Sequence, residues 1–79
     1  MKERLIMTAR SIAPDFYRMI AERVERAASN PENRNDDGTV NWNFVDADVF
    51  METRPTDACV DLFYQLFEEA ADEFEGALV

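Results

Sequence analysis

The sequence contains no histidine, one cysteine (Cys59), two glycines (Gly38 and Gly76) and three prolines among its 79 residues. Each scarcity excludes something. Without histidine, the commonest general base, triad member and metal ligand is missing. A single cysteine makes no internal disulfide and, with no histidine beside it, builds no zinc site. Cys59 reads instead as a small buried hydrophobe. Two isolated glycines supply no glycine-rich phosphate loop. No apolar run approaches the roughly 18 residues of a membrane span. The opening Met1-Lys2-Glu3-Arg4-Leu5-Ile6-Met7 has a charge cluster but no apolar stretch of leader length. The expectation is one cytoplasmic domain, not an enzyme, with no cofactor.

Basic residues are also scarce, but only in part of the chain. Residues 1–30 hold six bases (Lys2, Arg4, Arg10, Arg18, Arg23, Arg26) and four acids, for a net of +2. Residues 31–79 hold two bases (Arg34, Arg54) and thirteen acids, for a net of −11, giving −9 overall. Such a balance disfavours nucleic acid and anionic membrane as direct ligands, since both need a basic footprint. It favours a basic protein surface as partner, approached by electrostatic steering.

What is abundant is hydrophobic residues, 47% of the chain with six Phe, two Tyr and one Trp, too many for a disordered acidic tail. Their spacing predicts a mainly α fold, a compact three-helix arrangement. In the first long helix, about 11–28, Ala13, Phe16, Tyr17, Ile20, Val24, Ala27 and Ala28 share an arc. Ser11 is placed to cap it, Pro14 fits its first turn, and Asn30-Pro31 ends it. Opposite the arc, Arg18, Glu22 and Arg26 stand at i,i+4 steps and read as a solvated ladder. Leu5, Ile6 and Ala9 suggest an added helical turn kinked before Pro14, with a short strand as the alternative.

In the second long helix, about 57–75, Cys59, Phe63, Leu66, Phe67, Ala70 and Phe74 make the core arc, widened by Val60, Tyr64 and Ala71. Thr56 reads as its N-cap and Gly76 as its stop.

The middle is less regular. Asp37-Gly38 is a turn signal. Val40, Trp42 and Phe44 alternate with Asn41 and Asn43, which reads as a short extended segment near 39–44. Val45, Val49 and Phe50 or Met51 then have helical spacing, giving a short helix near 45–53 before Arg54-Pro55. Residues 33–41 resemble the opening of an EF-hand loop, with Asn33, Asn35, Asp37 and Asn41 at positions 1, 3, 5 and 9 and Gly38 at position 6. The twelfth position, which needs a bidentate Glu, is Phe44, and the first is Asn. With its strongest ligands missing, the stretch reads as a polar connection and no metal is expected.

The last helix carries the functional signal. Asp57, Asp61, Glu68, Asp72 and Glu75 fall within about 60° of one another on a helical wheel, and Glu69 and Glu73 widen the stripe. No base lies between residues 57 and 75. Seven charges over about 27 Å of helix give one per roughly 4 Å, comparable with the spacing of about 3.4 Å along one DNA strand. Like charges at i,i+3 and i,i+4 disfavour the helix, as do acids at its C-terminal end. Asp46 and Asp48 add two carboxylates whose side chains diverge on a helix.

A short, strongly acidic, single-domain chain with a carboxylate-lined helix resembles the small phage-encoded inhibitors of the anti-CRISPR and nucleic-acid-mimic type. The resemblance is one of size and charge, without a shared motif. It rests on Asp57, Asp61, Glu68, Glu69, Asp72, Glu73 and Glu75, joined by Asp46 and Asp48. It implies blockade of a basic nucleic-acid-binding surface, in the host cytoplasm; the chain's own residues offer Trp42, Tyr64 or Phe50 as an apolar anchor at the rim of such a contact. A second reading stands beside it: a small structural or adaptor module, a homodimer through Val60, Tyr64 and Ala71, whose acidity serves solubility. The preference for Arg over Lys suits a halophilic or GC-rich source on that reading.

Overall fold

Pro14 fixes where the first long helix begins. The computed structural model describes residues 9–78, with side chains from 10 to 76. A short helix α1 (Ala9–Ile12) precedes α2 (Pro14–Ser29), with Pro14 at the first helical position and Ala13 as an N-cap without a side-chain bond. Ser11 lies inside α1 and does not cap α2. Of the expected added turn, Ala9 belongs to α1, and Leu5 and Ile6 lie outside the described residues.

The chain leaves α2 through Asn30, whose side-chain oxygen accepts from the Glu32 N–H at 3.0 Å. That bond caps a single 3₁₀ turn, Pro31–Asn33. The following polar loop is tied to the C-terminal end of α2. Arg34 Nε donates to the Ala28 carbonyl at 2.8 Å and its Nη1 to the Gly38 carbonyl at 2.9 Å. Arg34 and Val40 form one antiparallel bridge, and the turn between them closes with the Gly38 N–H on the Asn35 carbonyl. Gly38 has φ +88°, a conformation that costs a side chain about 1 kcal/mol or more.

Helix α3 runs Trp42–Thr53. Residues 42–44 are therefore helical, and the expected extended segment shrinks to the bridge at Val40. The reason is Asn41. Its side-chain oxygen accepts the Phe44 N–H at 3.3 Å, making it an N-cap, not a strand residue. The helix ends on Arg54, left-handed at φ 52°, ψ 58°, with Pro55 next.

Thr56 caps a 3₁₀ turn, Asp57–Cys59, through its backbone, without a side-chain cap bond. Helix α4, Val60–Leu78, follows and passes through Gly76 without stopping. No helix among the described residues is long and apolar enough to cross a membrane.

Helix α2 is the element on which both α3 and α4 pack. The core is Ile20, Val24 and Ala28 from α2, Val45 and Val49 from α3, and Phe63, Leu66, Phe67 and Ala70 from α4. Each fully buried aliphatic or Phe side chain contributes about 1.5–3 kcal/mol. Between α3 and α4 the space is spanned by aromatic rings. Phe50 is edge-on to Phe63 at 5.4 Å and stacked with Tyr64 at 5.9 Å, and Trp42 is edge-on to Phe67 at 6.3 Å. Cys59 is half-buried, more open than the burial expected of it.

The arginines of the expected ladder on α2 take other partners than Glu22. Arg18 pairs with Asp15 at 3.4 Å, while Arg26 reaches across to Glu52 of α3 at 3.0 Å. Arg23 donates to the Thr53 hydroxyl at 3.0 Å and lies 3.7 Å from Glu52. The two helices are thus latched at one end by α2 cations on an α3 carboxylate.

Candidate protein-binding face

Helix α4 carries two acidic flanks that differ in their surroundings. The inner flank is Glu69 and Glu73. Helix α1 lies against both α2 and α4, and this placement brings Arg10 over that flank. Arg10 Nη1 bonds Glu73 Oε2 at 2.6 Å, and its Nε lies 3.7 Å from Glu69. Tyr17 donates its hydroxyl to Glu73 Oε1 at 2.9 Å, and the Arg10 guanidinium stands 5.2 Å from the Tyr17 ring centroid. The effects are mutual. The Arg10 hydrogen bond, then that of Tyr17, holds the Glu73 carboxyl below its ordinary value. Arg10 is held above its own, chiefly by the bond to Glu73. Burial, then the bond to Glu73, raises Tyr17. The stripe is therefore not wholly uncompensated: a base distant in sequence offsets Glu69 and Glu73.

The outer flank is Asp61, Glu68, Asp72 and Glu75, all exposed. From Asp61 to Glu75 the row covers about 21 Å of helix. Gln65, also exposed, stands in the same row between Asp61 and Glu68. The side chains of Asp61, Glu68 and Asp72 make no ion pair or hydrogen bond with any described residue. Glu75 accepts the Trp42 indole N–H at 2.6 Å. Asp57 is exposed but belongs to the 3₁₀ turn ahead of α4, so the α-helical step that aligned it with the row does not apply to it.

The two acids of α3 face different ways. Asp48 accepts from Asn33 Nδ2 at 2.9 Å, and the same amide bonds the Ala27 carbonyl at 3.0 Å. Asn33 is the one buried polar residue described, so Asp48 has a structural role in seating the 31–41 loop. Asp46 faces α4. It lies against Tyr64, whose hydroxyl is raised by burial first and by the Asp46 charge second. One Asp46 oxygen, Oδ1, is buried without a hydrogen-bond partner among the described residues.

The loop resembling an EF-hand opening spends its polar groups on bonds within the chain. Asn33 points back to α2 and α3, Asp37 accepts both the backbone N–H and the hydroxyl of Thr39, and Asn41 caps α3. No group of three or more acidic or cysteine side chains among the described residues is arranged to hold a metal ion.

Sequence reasoning missed how Trp42 is used. The indole is half-buried, edge-on to Phe67 and to Phe74, and bonded to Glu75. With Phe67, Glu68, Ala71, Asp72 and Glu75 it lines an open groove of about 270 Å³. Only the i,i+4 relations of the α4 residues were visible beforehand, since Trp42 reaches them from another helix.

Comparison of the chain with protein-family models, curated proteins and solved structures finds no match.

Proposed function

We propose that this protein is a binding inhibitor that applies the outer flank of α4 to the basic, nucleic-acid-binding surface of a partner protein, in the manner of anti-CRISPR and other nucleic-acid-mimic inhibitors. The contact residues are Asp61, Glu68, Asp72 and Glu75, with Asp57 at one end. Glu69 and Glu73 are secondary because Arg10 already offsets them, and Asp46 and Asp48 because they lie on α3, against Tyr64 and Asn33.

One observation carries this reading. Of the six described arginines, Arg10, Arg18, Arg23, Arg26 and Arg34 are all bonded within the molecule, yet none serves the outer row. The exposed charge along α4 is left negative at a cost to the helix, a pattern expected of a surface kept for a cationic partner. No chemistry is needed. Carboxylates take the places of phosphates, and nucleic acid is denied its channel.

The test is charge reversal of Asp61, Glu68 and Asp72 to Lys together. The wild type should capture a basic partner from cell lysate, release it as salt is raised, and block that partner's nucleic-acid binding. The reversed variant should keep its helical circular dichroism and lose both capture and blockade. A folded variant that still blocks refutes the proposal.

A second reading has its own support. Phe44, Ala47 and Met51 stand at i, i+3 and i+7 on the outward side of α3, with Phe44 53% and Met51 71% exposed. A helical adaptor that self-associates through this face would show a concentration-dependent mass by light scattering, lost on Phe44→Ser/Met51→Ser. An unchanged monomeric mass removes it.

A further inference from the structure

We infer that the groove between Trp42 and the outer flank of α4 receives the guanidinium of an arginine presented by the partner. This rests on the docking reading above and specifies its central contact.

The lining joins an aromatic wall to carboxylates. Trp42, Phe67 and Ala71 are apolar, Glu68, Asp72 and Glu75 are acidic, and no cation is among them. The tryptophan is held in place by the bond to Glu75 and by Phe67 and Phe74, ring centroids 6.3 and 6.2 Å away at interplanar angles of 83° and 81°. Its N–H is given to a carboxylate, which leaves the ring richer in electron density for a cation. Glu68 and Asp72 lie one helical turn apart, and neither has a partner among the described residues. A guanidinium is planar, weakly hydrated, stacks on aromatic rings and forks onto carboxylates. An ammonium is compact and strongly hydrated and gains less from such a wall.

The same chemistry already operates on the other flank of the same helix. There Arg10 sits 5.2 Å from the Tyr17 ring centroid and 2.6 Å from a Glu73 oxygen. The outer flank repeats the pairing of ring and carboxylate without the arginine. Two other grooves among the described residues do not. The one lined by Phe50, Met51, Arg54 and Pro55 has a cation and no acid. The one lined by Arg23, Arg26, Asp48 and Glu52 is served by its own arginines.

Trp42 is the chain's only tryptophan, so its fluorescence reports on the groove directly. Labelled octa-arginine and octa-lysine amides would be titrated at about 50 mM salt, with binding read by polarisation and the groove by Trp42 emission. Octa-arginine should bind roughly two- to fivefold tighter than octa-lysine and change the emission more. Ala71→Met fills the groove without altering charge. It should erase both the preference and the emission change while leaving equal, salt-dependent binding of the two peptides. Asp72→Asn, at an exposed position, should reduce the preference as well. Equal affinities for wild type, or a preference that survives both variants, overturn the groove assignment and leave the acidic face standing. If neither peptide binds wild type at low salt, both readings fall.

Discussion

The two flanks of α4 predict opposite responses to the same substitution. On the outer flank, Glu68→Gln with Asp72→Asn removes three like-charge relations: Glu68–Asp72 at i,i+4, and Glu69–Asp72 and Asp72–Glu75 at i,i+3. Each is unfavourable by about 0.2–0.5 kcal/mol, so the double variant should be more stable by roughly 1 kcal/mol at low salt. For a domain of this size that raises Tm by about 4–8 °C. On the inner flank, Glu73→Gln removes the carboxylate that Arg10 and Tyr17 share and leaves Arg10 with the longer contact to Glu69 at 3.7 Å. That variant should melt below wild type.

Thermal melts followed by circular dichroism would decide it, at low salt and again near 1 M, where the Debye length is about 3 Å. The gain of the outer double variant should shrink at high salt. If that variant melts at or below wild type at low salt, the outer carboxylates are compensated, and the division of the helix is wrong. If Glu73→Gln is stabilising, the inner clamp contributes nothing and the division fails from the other side.

Phe63, fully buried and in contact with three other rings, should lose about 3–5 kcal/mol on Phe63→Ala. Against a total of roughly 4–12 kcal/mol for a domain of this length, chemical denaturation should show a much reduced or absent native baseline. Arg54 at φ 52° carries a left-handed penalty of about 1–2 kcal/mol. Set against the greater unfolded-state freedom of glycine, Arg54→Gly should stabilise by about 0.5–1 kcal/mol, seen as a higher denaturation midpoint. The Glu73 carboxyl titrates below its ordinary 4.5, so its contribution is present above that pH and lost as pH falls through the folded value. Acid titrations of wild type and Glu73→Gln should therefore differ at neutral pH and converge at low pH; a constant gap would contradict the assignment. Gln65→Lys places a cation at i+4 from Asp61, i−3 from Glu68 and i−4 from Glu69, and should raise Tm while weakening binding to octa-arginine.

The long helices were legible because each buries one stripe. Ile20, Val24 and Ala28 recur every four residues, and Phe63, Leu66, Phe67 and Ala70 trace a helical arc, so period alone identified them. The start of α3 was not legible, because Asn41 serves alternation and capping equally well. Only its bond to the Phe44 N–H distinguishes them. Gly76 was misread as a stop because glycine permits a left-handed cap without requiring one. The acids of the candidate face could be read from the sequence, but their division could not. Arg10 and Glu73 are 63 residues apart, and no local pattern connects them. Trp42 and Glu75, 33 apart, meet by the same kind of tertiary accident.

The charge split in the sequence becomes something different in the folded molecule. The basic segment does not form an exposed positive end opposed to a negative one, because its described arginines are each paired with an acid. Arg10 goes to α4, Arg23 and Arg26 go to Glu52, and Arg18 goes to its neighbour Asp15. Folding thus consumes cations and concentrates the surplus of acid on what remains exposed. The remaining row had a simple local remedy. Position 65 lies within one turn of Asp61, Glu68 and Glu69, where a single lysine would offset three carboxylates without disturbing the core. The chain carries glutamine there, a residue that keeps the helix and leaves the charge. A coat needed only for solubility would lose little by that lysine, since the net charge would stay far from zero. A surface that must match a cationic partner would lose contact along its whole length, and this difference is what favours the docking reading over a purely solvating one.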